Sequence, residues 1–482
     1  MLFNSLNFAI FLPVVFILYW FATKKNLKIQ NILLLLSSCF FYACWDWRFL
    51  FLLMISIALV YYPGKLMSAA KNVRNRKIWL WFSIITSLGF LGIFKYYNFF
   101  VVSLSDMLSN FGLHVNTMTL HVILPVGISF YTFHGLSYII DLYKGRIEEE
   151  KDFVNYAVFV SFFPLLIAGP IERATHLLPQ IKTPRTFDYN RAVDGLRQIL
   201  WGLFKKIVIA DNCAEFANTI FNNSSGYSGS TLVIGALFFT FQIYCDFSGY
   251  SDIALGVARL FGIELLRNFA FPYFSRDIAE FWRRWHISLT TWFRDYLYIP
   301  LGGSRGGTWM KVRNTFIIFL VSGFWHGANW TFIAWGALNA IYFLPLMLTH
   351  NNRRNIEMVA QGRLFPSVRE FFSMLVTFGM TVFAWIFFRA NSISHAFSYI
   401  KGIFSRSLFT IPHFAGMDRA IPIMLLTGIF FIVEWIGREE QYAIARIGIK
   451  WYKPLRWAMY YVIITFIFHF MGKEQQFIYF QF

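Results

Sequence analysis

Residues 315–348 read TFIIFLVSGFWHGANWTFIAWGALNAIYFLPLML, and they contain no Asp, Glu, Lys or Arg. A straight helix of this length would measure about 51 Å at roughly 1.5 Å per residue. Because a hydrocarbon core is only about 30 Å thick, the segment is too long for one span and short for two. Gly323 and Gly327 flank His326, so we expect a bend or a break at this histidine.

The composition around this segment predicts an integral membrane protein. Of the 482 residues, 57% are hydrophobic and 21% aromatic, and only 14% are charged, against about 25% charged in an average soluble domain. Apolar runs long enough to cross a bilayer recur along the whole chain. We therefore expect an all-α membrane domain over residues 1–482, with about ten or eleven membrane-embedded helices, some of them tilted, broken or re-entrant, and with additional interfacial helices on the cytoplasmic side.

The net charge of +18 does not indicate nucleic acid as a partner. Its Lys and Arg residues lie in short loops between apolar runs, as the positive-inside rule describes, so the lipid bilayer is the expected partner. We expect the N-terminal apolar run to be a first span rather than a cleaved signal peptide, because its basic residues follow the apolar part. The four cysteines show no CxxC pair and predict neither a zinc site nor a disulfide framework. They are Cys39, Cys44, Cys213 and Cys245.

His326 is the first candidate site residue. An imidazole at membrane depth normally faces the protein interior or a water-filled cavity, where it marks a reaction site or a pathway. The alternative is a structural histidine that bonds to a backbone carbonyl freed by the helix break.

A second histidine, His286, lies within FSRDIAEFWRRWHISLTTWFRDYLY at 274–298. Apolar residues at steps of three and four predict one amphipathic helix in the cytoplasmic interface, with Glu280 and Arg284 as a supporting i,i+4 pair. His286 is either functional or an interfacial packing residue. The surrounding arginines and aromatics suit either an anionic cofactor with a planar base or anchoring to lipid headgroups.

Two further patterns are weaker. Gly302, Ser304 and Gly306 satisfy G-x-S-x-G, but a nucleophile elbow needs a strand before it and a helix after it. Asp246 and Asp252 lie six residues apart at the end of an apolar run, a spacing that places them poorly on one helical face. We expect a polar cap or a pore lining there, and we predict no metal site.

Longer blocks resemble the membrane-bound O-acyltransferase family, and within it the bacterial alginate O-acetyltransferase branch. The blocks cover nearly the whole chain and are far more specific than any short pattern. They are AGPIERATHLLPQ at 168–180, QIYCDFSGYSDIALG at 242–256, NFAFPYFSRDIAEFWRRWHISLTTWFRDYLYIPLGG at 268–303, SGFWHGANWTFIAWG at 322–336 and FIYFQF at 477–482.

This resemblance implies a ring of tilted helices around a central tunnel in the bacterial inner membrane. It also implies transfer of acetyl from cytoplasmic acetyl-CoA, a substrate rather than a resident cofactor, toward an exported polysaccharide or peptidoglycan through a periplasmic acetyltransferase partner. The family's two characteristic polar positions fall on His326 and His286. We expect His326 to act as general base and His286 to orient the thioester or stabilise the oxyanion. Arg283 and Arg284 are our candidates for the CoA phosphates, from their charge and place.

Three alternatives remain open at this point. The enzyme could transfer another acyl group, such as D-alanine to teichoic acid. The protein could instead export polysaccharide or an acyl donor without catalysis, or serve as a scaffold. The absence of a visible internal repeat weighs against a transporter.

Overall fold

The computed structural model describes residues 1–23, 26–115, 118–120, 123–167, 169–472 and 475–478. Within these ranges the regular structure is entirely helical, with no β-strand. The all-α prediction is therefore confirmed.

The described chain divides into two compact units. The first comprises Met1–Ala192 together with Val257–Leu266, and the second comprises Val193–Gly256 together with Arg267–Phe482. The single membrane domain expected over residues 1–482 stays a prediction.

Among the described residues, the first unit contains nine complete α-helices, the first turn of one further helix and the last turn of another. Its core is rich in buried aromatic side chains, including Tyr131, Tyr138 and Tyr156. The helices are α1 Leu6–Ile17, α2 Leu27–Ala43, α3 Trp47–Ala69, α4 Val73–Leu91, α5 Tyr97–Asn110, α6 Ile128–Tyr143, α7 Phe153–Ser161, α8 Phe163–Leu166 and α9 Ala174–Lys182.

The apolar run at 153–168, a candidate for one of the predicted re-entrant segments, is interrupted in this unit. Its helix ends at Ser161 and a four-residue helix follows. Ala168, the last residue of the predicted run, lies outside the described residues.

The second unit carries the long helices around both candidate histidines. Two helices, α10 and α12, begin or end in the first unit. The helices are α10 Tyr189–Leu203, α11 Asp211–Asn222, α12 Gly229–Leu260, α13 Ile278–Arg284, α14 Ile287–Phe293, α15 Thr308–His326, α16 Trp330–Leu348, α17 Val368–Arg389, α18 Ile393–Ile403, α19 Met417–Ile436 and α20 Lys453–His469.

Six described helical stretches are long and apolar enough to cross a membrane. Many of their side chains are apolar and exposed, as lipid contact requires,. One of them, α17, starts with a capping box in which Ser367 and Glu370 satisfy each other's backbone N–H groups,. The stretches are Trp47–Ala69, Val73–Asn110, Gly229–Leu260, Trp330–Leu348, Val368–Arg389 and Met417–Ile436.

Candidate active site

The apolar segment at 315–348 folds as a helical hairpin. Helix α15 ends at His326, and α16 begins at Trp330 after a short turn. The Asn329 side chain caps α16 by accepting a hydrogen bond from the backbone N–H of Thr331 at 3.0 Å,. The predicted break at His326 is confirmed. Because α15 starts at Thr308, upstream of the apolar segment, the chain has enough residues for two 19-residue helices rather than one bent helix.

Two glycines let the hairpin helices approach closely. A Cβ atom on Gly323 would stand 2.2 Å from the carbonyl oxygen of Phe332, and one on Gly336 would stand 2.3 Å from the carbonyl oxygen of Phe319. Such distances are below any real contact, so only glycine fits at these crossings. The close backbone packing fixes the position of His326 at the end of α15.

Replacing Gly323 with alanine is expected to destabilise the protein by roughly 1–3 kcal/mol, because the added methyl group meets backbone rather than a flexible side chain. Thermal unfolding of the detergent-purified variant measures this loss. Gly379→Ala in α17 is the matched control, because a Cβ there has nothing within 4 Å. Equal stability of the two variants would contradict the close-packing interpretation.

Aromatic rings surround the His326 imidazole. The ring centroids of Trp325, Trp335 and Phe388 lie 4.9, 5.2 and 5.3 Å from its own, and His326 is only 3% exposed. A water-poor aromatic enclosure strengthens electrostatic interactions at the imidazole. Sequence reasoning did not identify Trp335 or Phe388, since nothing local distinguishes them from other aromatic residues of the chain.

His286 lies at a sharp bend between α13 and α14. Its φ of 42° places a non-glycine residue in the left-handed region, a strained conformation that neighbouring structure must hold. Asn268 supplies that support: its carbonyl oxygen accepts from the Ile287 N–H at 2.9 Å, and its side-chain oxygen accepts from the Ser288 hydroxyl at 2.6 Å. Asn268 is therefore a structural residue of the site that the sequence did not reveal.

The prediction of one helix over 274–298 is wrong. The structure has two seven-residue helices, Ile278–Arg284 and Ile287–Phe293, separated at His286. The predicted pair of Glu280 and Arg284 is confirmed, with their charged atoms 2.8 Å apart.

The bend brings His286 close to His326. Their ring centroids lie 6.4 Å apart, and Trp325 lies 5.8 Å from His286. Phe247 of α12 packs edge-on against the His286 ring at 4.6 Å. Burial lowers the pKa of His286 to about 3, so this imidazole is neutral at cellular pH and can accept or donate a hydrogen bond.

A cavity of about 670 Å³ in the second unit is lined by Ile287, which directly follows His286, and by Ser322, one helical turn before His326. Its volume lies within the size range of small-molecule sites. The cavity is walled by α13 to α16 and the segment that follows α16. Its lining includes Ile318, Phe319 and Ser322 of α15. Ser322 precedes His326 by four residues and therefore lies on the same helical face.

Four cationic side chains line the same cavity, together with His350. Arg294 and Arg353 are exposed, and Lys311 is half-buried. The cavity thus combines cationic side chains with apolar side chains of α15. The four cationic residues are Arg283, Arg294, Lys311 and Arg353.

Arg283 and Arg284 have different surroundings. Arg284 is 8% exposed and ion-paired with Glu280. Arg283 lines the cavity, and its guanidinium donates to the carbonyl oxygens of Asn352 and Asn355, each at 2.7 Å. Phosphate binding by either arginine stays a prediction.

The aspartates at 246 and 252 belong to buried ion pairs. Asp252 pairs with Lys205 at 2.5 Å, and Asp246 pairs with Lys206 at 2.8 Å. Lys206 also contacts Asp211 at 2.7 Å. The two carboxylates thus serve successive lysines of one neighbouring segment, which explains why they need not share a helical face.

The C-terminal segment joins this region through Phe477. This ring is buried and lies 4.6 Å from Tyr250 and 6.0 Å from Phe247, the residue packed on His286. The Ile478 N–H donates to the Asp246 carboxylate at 2.7 Å. Residues 479–482, which complete the FIYFQF block, lie outside the described residues.

Ser304 of the G-x-S-x-G pattern lies in a loop before α15. Its hydroxyl is 2.9 Å from the Tyr298 hydroxyl. The described chain has no strand to form a nucleophile elbow,. Groups of three or more His, Cys, Asp or Glu suited to a metal ion are also absent from the described ranges.

Residues 147–388, which include both histidines and the cavity, match the model of the membrane-bound O-acyltransferase family. The chain belongs to this family. It is therefore an acyltransferase, and its apolar helices make it a multi-pass membrane protein.

Curated relatives share most of its length. The probable alginate O-acetylase AlgI of Pseudomonas aeruginosa is 40% identical over 92% of this chain and 82% of its own. The peptidoglycan O-acetyltransferase of Helicobacter pylori is 34% identical over 100% of this chain and 98% of its own. The teichoic acid D-alanyltransferase of Bacillus subtilis is 27% identical, over 56% of this chain and 70% of its own.

Proposed function

We propose that this protein transfers acetyl from cytoplasmic acetyl-CoA to a polysaccharide hydroxyl on the far side of the bacterial inner membrane. The observation that carries the proposal is a cationic cavity lined by Ile287 and Ser322, which are close in the chain to two histidines whose rings lie 6.4 Å apart. Relatives named as alginate and peptidoglycan O-acetyltransferases support the acetyl group and the polysaccharide acceptor. A periplasmic acetyltransferase partner receives the acetyl group where the acceptor does not reach the membrane.

The cavity suits the two chemically different parts of acetyl-CoA. Arg294, Lys311 and Arg353 offer cationic donors to the phosphates, which guanidinium and ammonium groups bind through charge-assisted hydrogen bonds. The neutral pantetheine arm lies along Ile318 and Phe319. It carries the thioester past Ser322 toward His326.

The reaction then needs one base and one group that stabilises negative charge. His326 accepts the proton of the acceptor hydroxyl while the oxygen attacks the thioester carbonyl carbon. Collapse of the tetrahedral intermediate breaks the C–S bond, and the leaving thiolate takes the proton from His326. CoA is released as its thiol, and the imidazole returns to its neutral form. The neutral His286 ring donates a hydrogen bond to the oxyanion or orients the thioester.

Purified protein in proteoliposomes, supplied with radiolabelled acetyl-CoA on the cytoplasmic side and polysaccharide on the other, tests this function. We expect labelled O-acetyl ester on the polysaccharide, with a periplasmic acetyltransferase added in a parallel reaction. Transfer from a D-alanyl carrier protein but not from acetyl-CoA would favour the teichoic acid alternative. Movement of polysaccharide or acyl donor without ester formation would favour a transporter.

A bulky side chain in the cavity should strongly reduce acetyl transfer from acetyl-CoA. Ser322 is 5% exposed and lines the cavity, so Ser322→Phe is expected to reduce transfer at least about tenfold by occupying the path of the thioester. The control is Ser322→Ala, which removes the hydroxyl and leaves the path open. If Ser322→Phe is folded and as active as Ser322→Ala, acetyl-CoA reaches the histidines by another route.

A further inference from the structure

The loop of residues 350–363, between α16 and α17, is held by arginine side chains that bond to its backbone. It contains no helix or strand, and His350 and Ala360 adopt left-handed conformations with φ of 58° and 48°. Non-glycine residues keep such conformations only where the surroundings impose them. We refer to these fourteen residues as the arginine-held loop.

Four arginines from other parts of the second unit hold this loop. Arg276, Arg283 and Arg284 belong to or directly precede α13, and Arg438 directly follows α19. Their donor–acceptor distances range from 2.5 to 3.0 Å. The accepting carbonyls are those of Asn352, Asn355, Glu357, Val359, Ala360 and Arg363.

Among these four arginines, Arg283 fixes the backbone on both sides of Arg353. Its two terminal nitrogens donate to Asn352 and Asn355, which lie on either side of Arg353. Asn355 is fixed a second time, because its side-chain amide donates to Asp277 at 2.6 Å. The backbone on both sides of Arg353 is therefore anchored to α13 and its N-terminal cap, while the Arg353 side chain is exposed and lines the cavity.

We propose that Arg353 is a phosphate-binding residue of the donor site and that Arg283 is a positioning residue, which acts by fixing the backbone that carries Arg353. This inference rests on the proposed function. Both terminal nitrogens of Arg283 donate hydrogen bonds to loop carbonyls, whereas the Arg353 side chain is exposed and lines the cavity. A flexible loop would have to order Arg353 on each binding event, and pre-ordering it removes that entropic cost.

A double-mutant cycle on the full-length protein separates positioning from direct binding. Arg353→Gln and Arg283→Gln are each expected to weaken CoA binding about tenfold, the loss of roughly one charge-assisted hydrogen bond. If Arg283 acts through Arg353, the double variant also loses about tenfold, because the second change removes nothing further. Equilibrium dialysis with labelled CoA measures the affinities, and kcat is expected to stay within about twofold.

Arg354→Gln is the matched control, since it removes the same charge from the neighbouring exposed residue of the loop. We expect its CoA affinity to equal that of the wild type. Arg283→Lys, which keeps the charge but has a single donor nitrogen, is expected to recover part of the affinity. Hydrogen exchange of residues 350–356 should accelerate in Arg283→Gln and stay unchanged in Arg353→Gln.

Other results overturn the proposal. A double variant weakened about a hundredfold would make Arg283 an independent phosphate ligand, and unchanged hydrogen exchange in Arg283→Gln would exclude its effect on the loop. If the wild type binds CoA but transfers no acetyl, the proposed function is refuted. The CoA affinities of the single and double variants still test the roles of Arg353 and Arg283. A wild type that does not bind CoA refutes both.

Discussion

Replacing His326 with alanine is expected to reduce acetyl transfer by about 10²- to 10⁴-fold, the usual loss when a general base is removed. A sugar hydroxyl is a poor nucleophile until its proton leaves, and in the proposed mechanism the His326 imidazole at the end of α15 accepts that proton. Aromatic rings of Trp325, Trp335 and Phe388 enclose it, so bulk water does not take its place. The rate of radiolabelled ester formation in proteoliposomes measures the loss.

His326→Gln distinguishes a base from a structural histidine. Glutamine keeps a hydrogen-bonding side chain of similar size but cannot take up a proton at neutral pH. We expect it to be as inactive as alanine, while size-exclusion behaviour and CoA affinity match the wild type. A glutamine variant that retains most of the transfer activity would show that His326 only supports the helix turn.

The sequence identified the features of this site that depend on local signals. Hydropathy marks the spanning helices because a lipid-facing helix is apolar over its own length. The break at His326 was visible because glycines flank it and because the apolar run exceeds one bilayer thickness. The i,i+4 pair of Glu280 and Arg284 was likewise visible, since helical periodicity alone places those side chains together.

The sequence did not reveal features set by contacts distant in the chain. No glycine or proline at the bend of His286 indicates it in the sequence. The bend is held by Asn268, which lies 18 residues earlier and bonds to Ile287 and Ser288. Arg283 carries a charge that suggests an anion site, yet its observed acceptors are carbonyls about seventy residues away. Such acceptors leave no signal in composition, because every residue has a carbonyl group.

The ion pairs of α12 show the same limit. Lys205 and Lys206 appear in the sequence as two adjacent cations on an expected helix, and nothing local identifies their partners. In the structure they are 3% and 0% exposed, and each pairs with carboxylates. The spacing of Asp246 and Asp252 is explained by their pairing with these two successive lysines.

Lys206→Met is expected to destabilise the protein by roughly 3–5 kcal/mol, because removal of one partner leaves buried charge uncompensated. Lys206 contacts both Asp211 and Asp246 and also donates to the Gln475 carbonyl at 3.2 Å. Its loss therefore removes the cation that the Asp211 and Asp246 carboxylates share, so that they repel each other. It also weakens the attachment of the C-terminal segment. Thermal unfolding followed by fluorescence-detected size exclusion measures the first effect, and protease sensitivity of the segment measures the second.

The triple variant Lys206→Met, Asp211→Asn and Asp246→Asn separates charge from shape. It removes all three charges and keeps the side-chain volumes close to native, so much of the stability should return, since a fully neutralised buried pair is often tolerated. The amide oxygen at position 246 can still accept from the Ile478 N–H, which should keep Phe477 against Phe247, the ring that packs on His286. If the triple variant is no more stable than Lys206→Met, the ammonium group contributes through hydrogen bonds such as that to the Gln475 carbonyl, and the buried charges are not what holds this part of the site together.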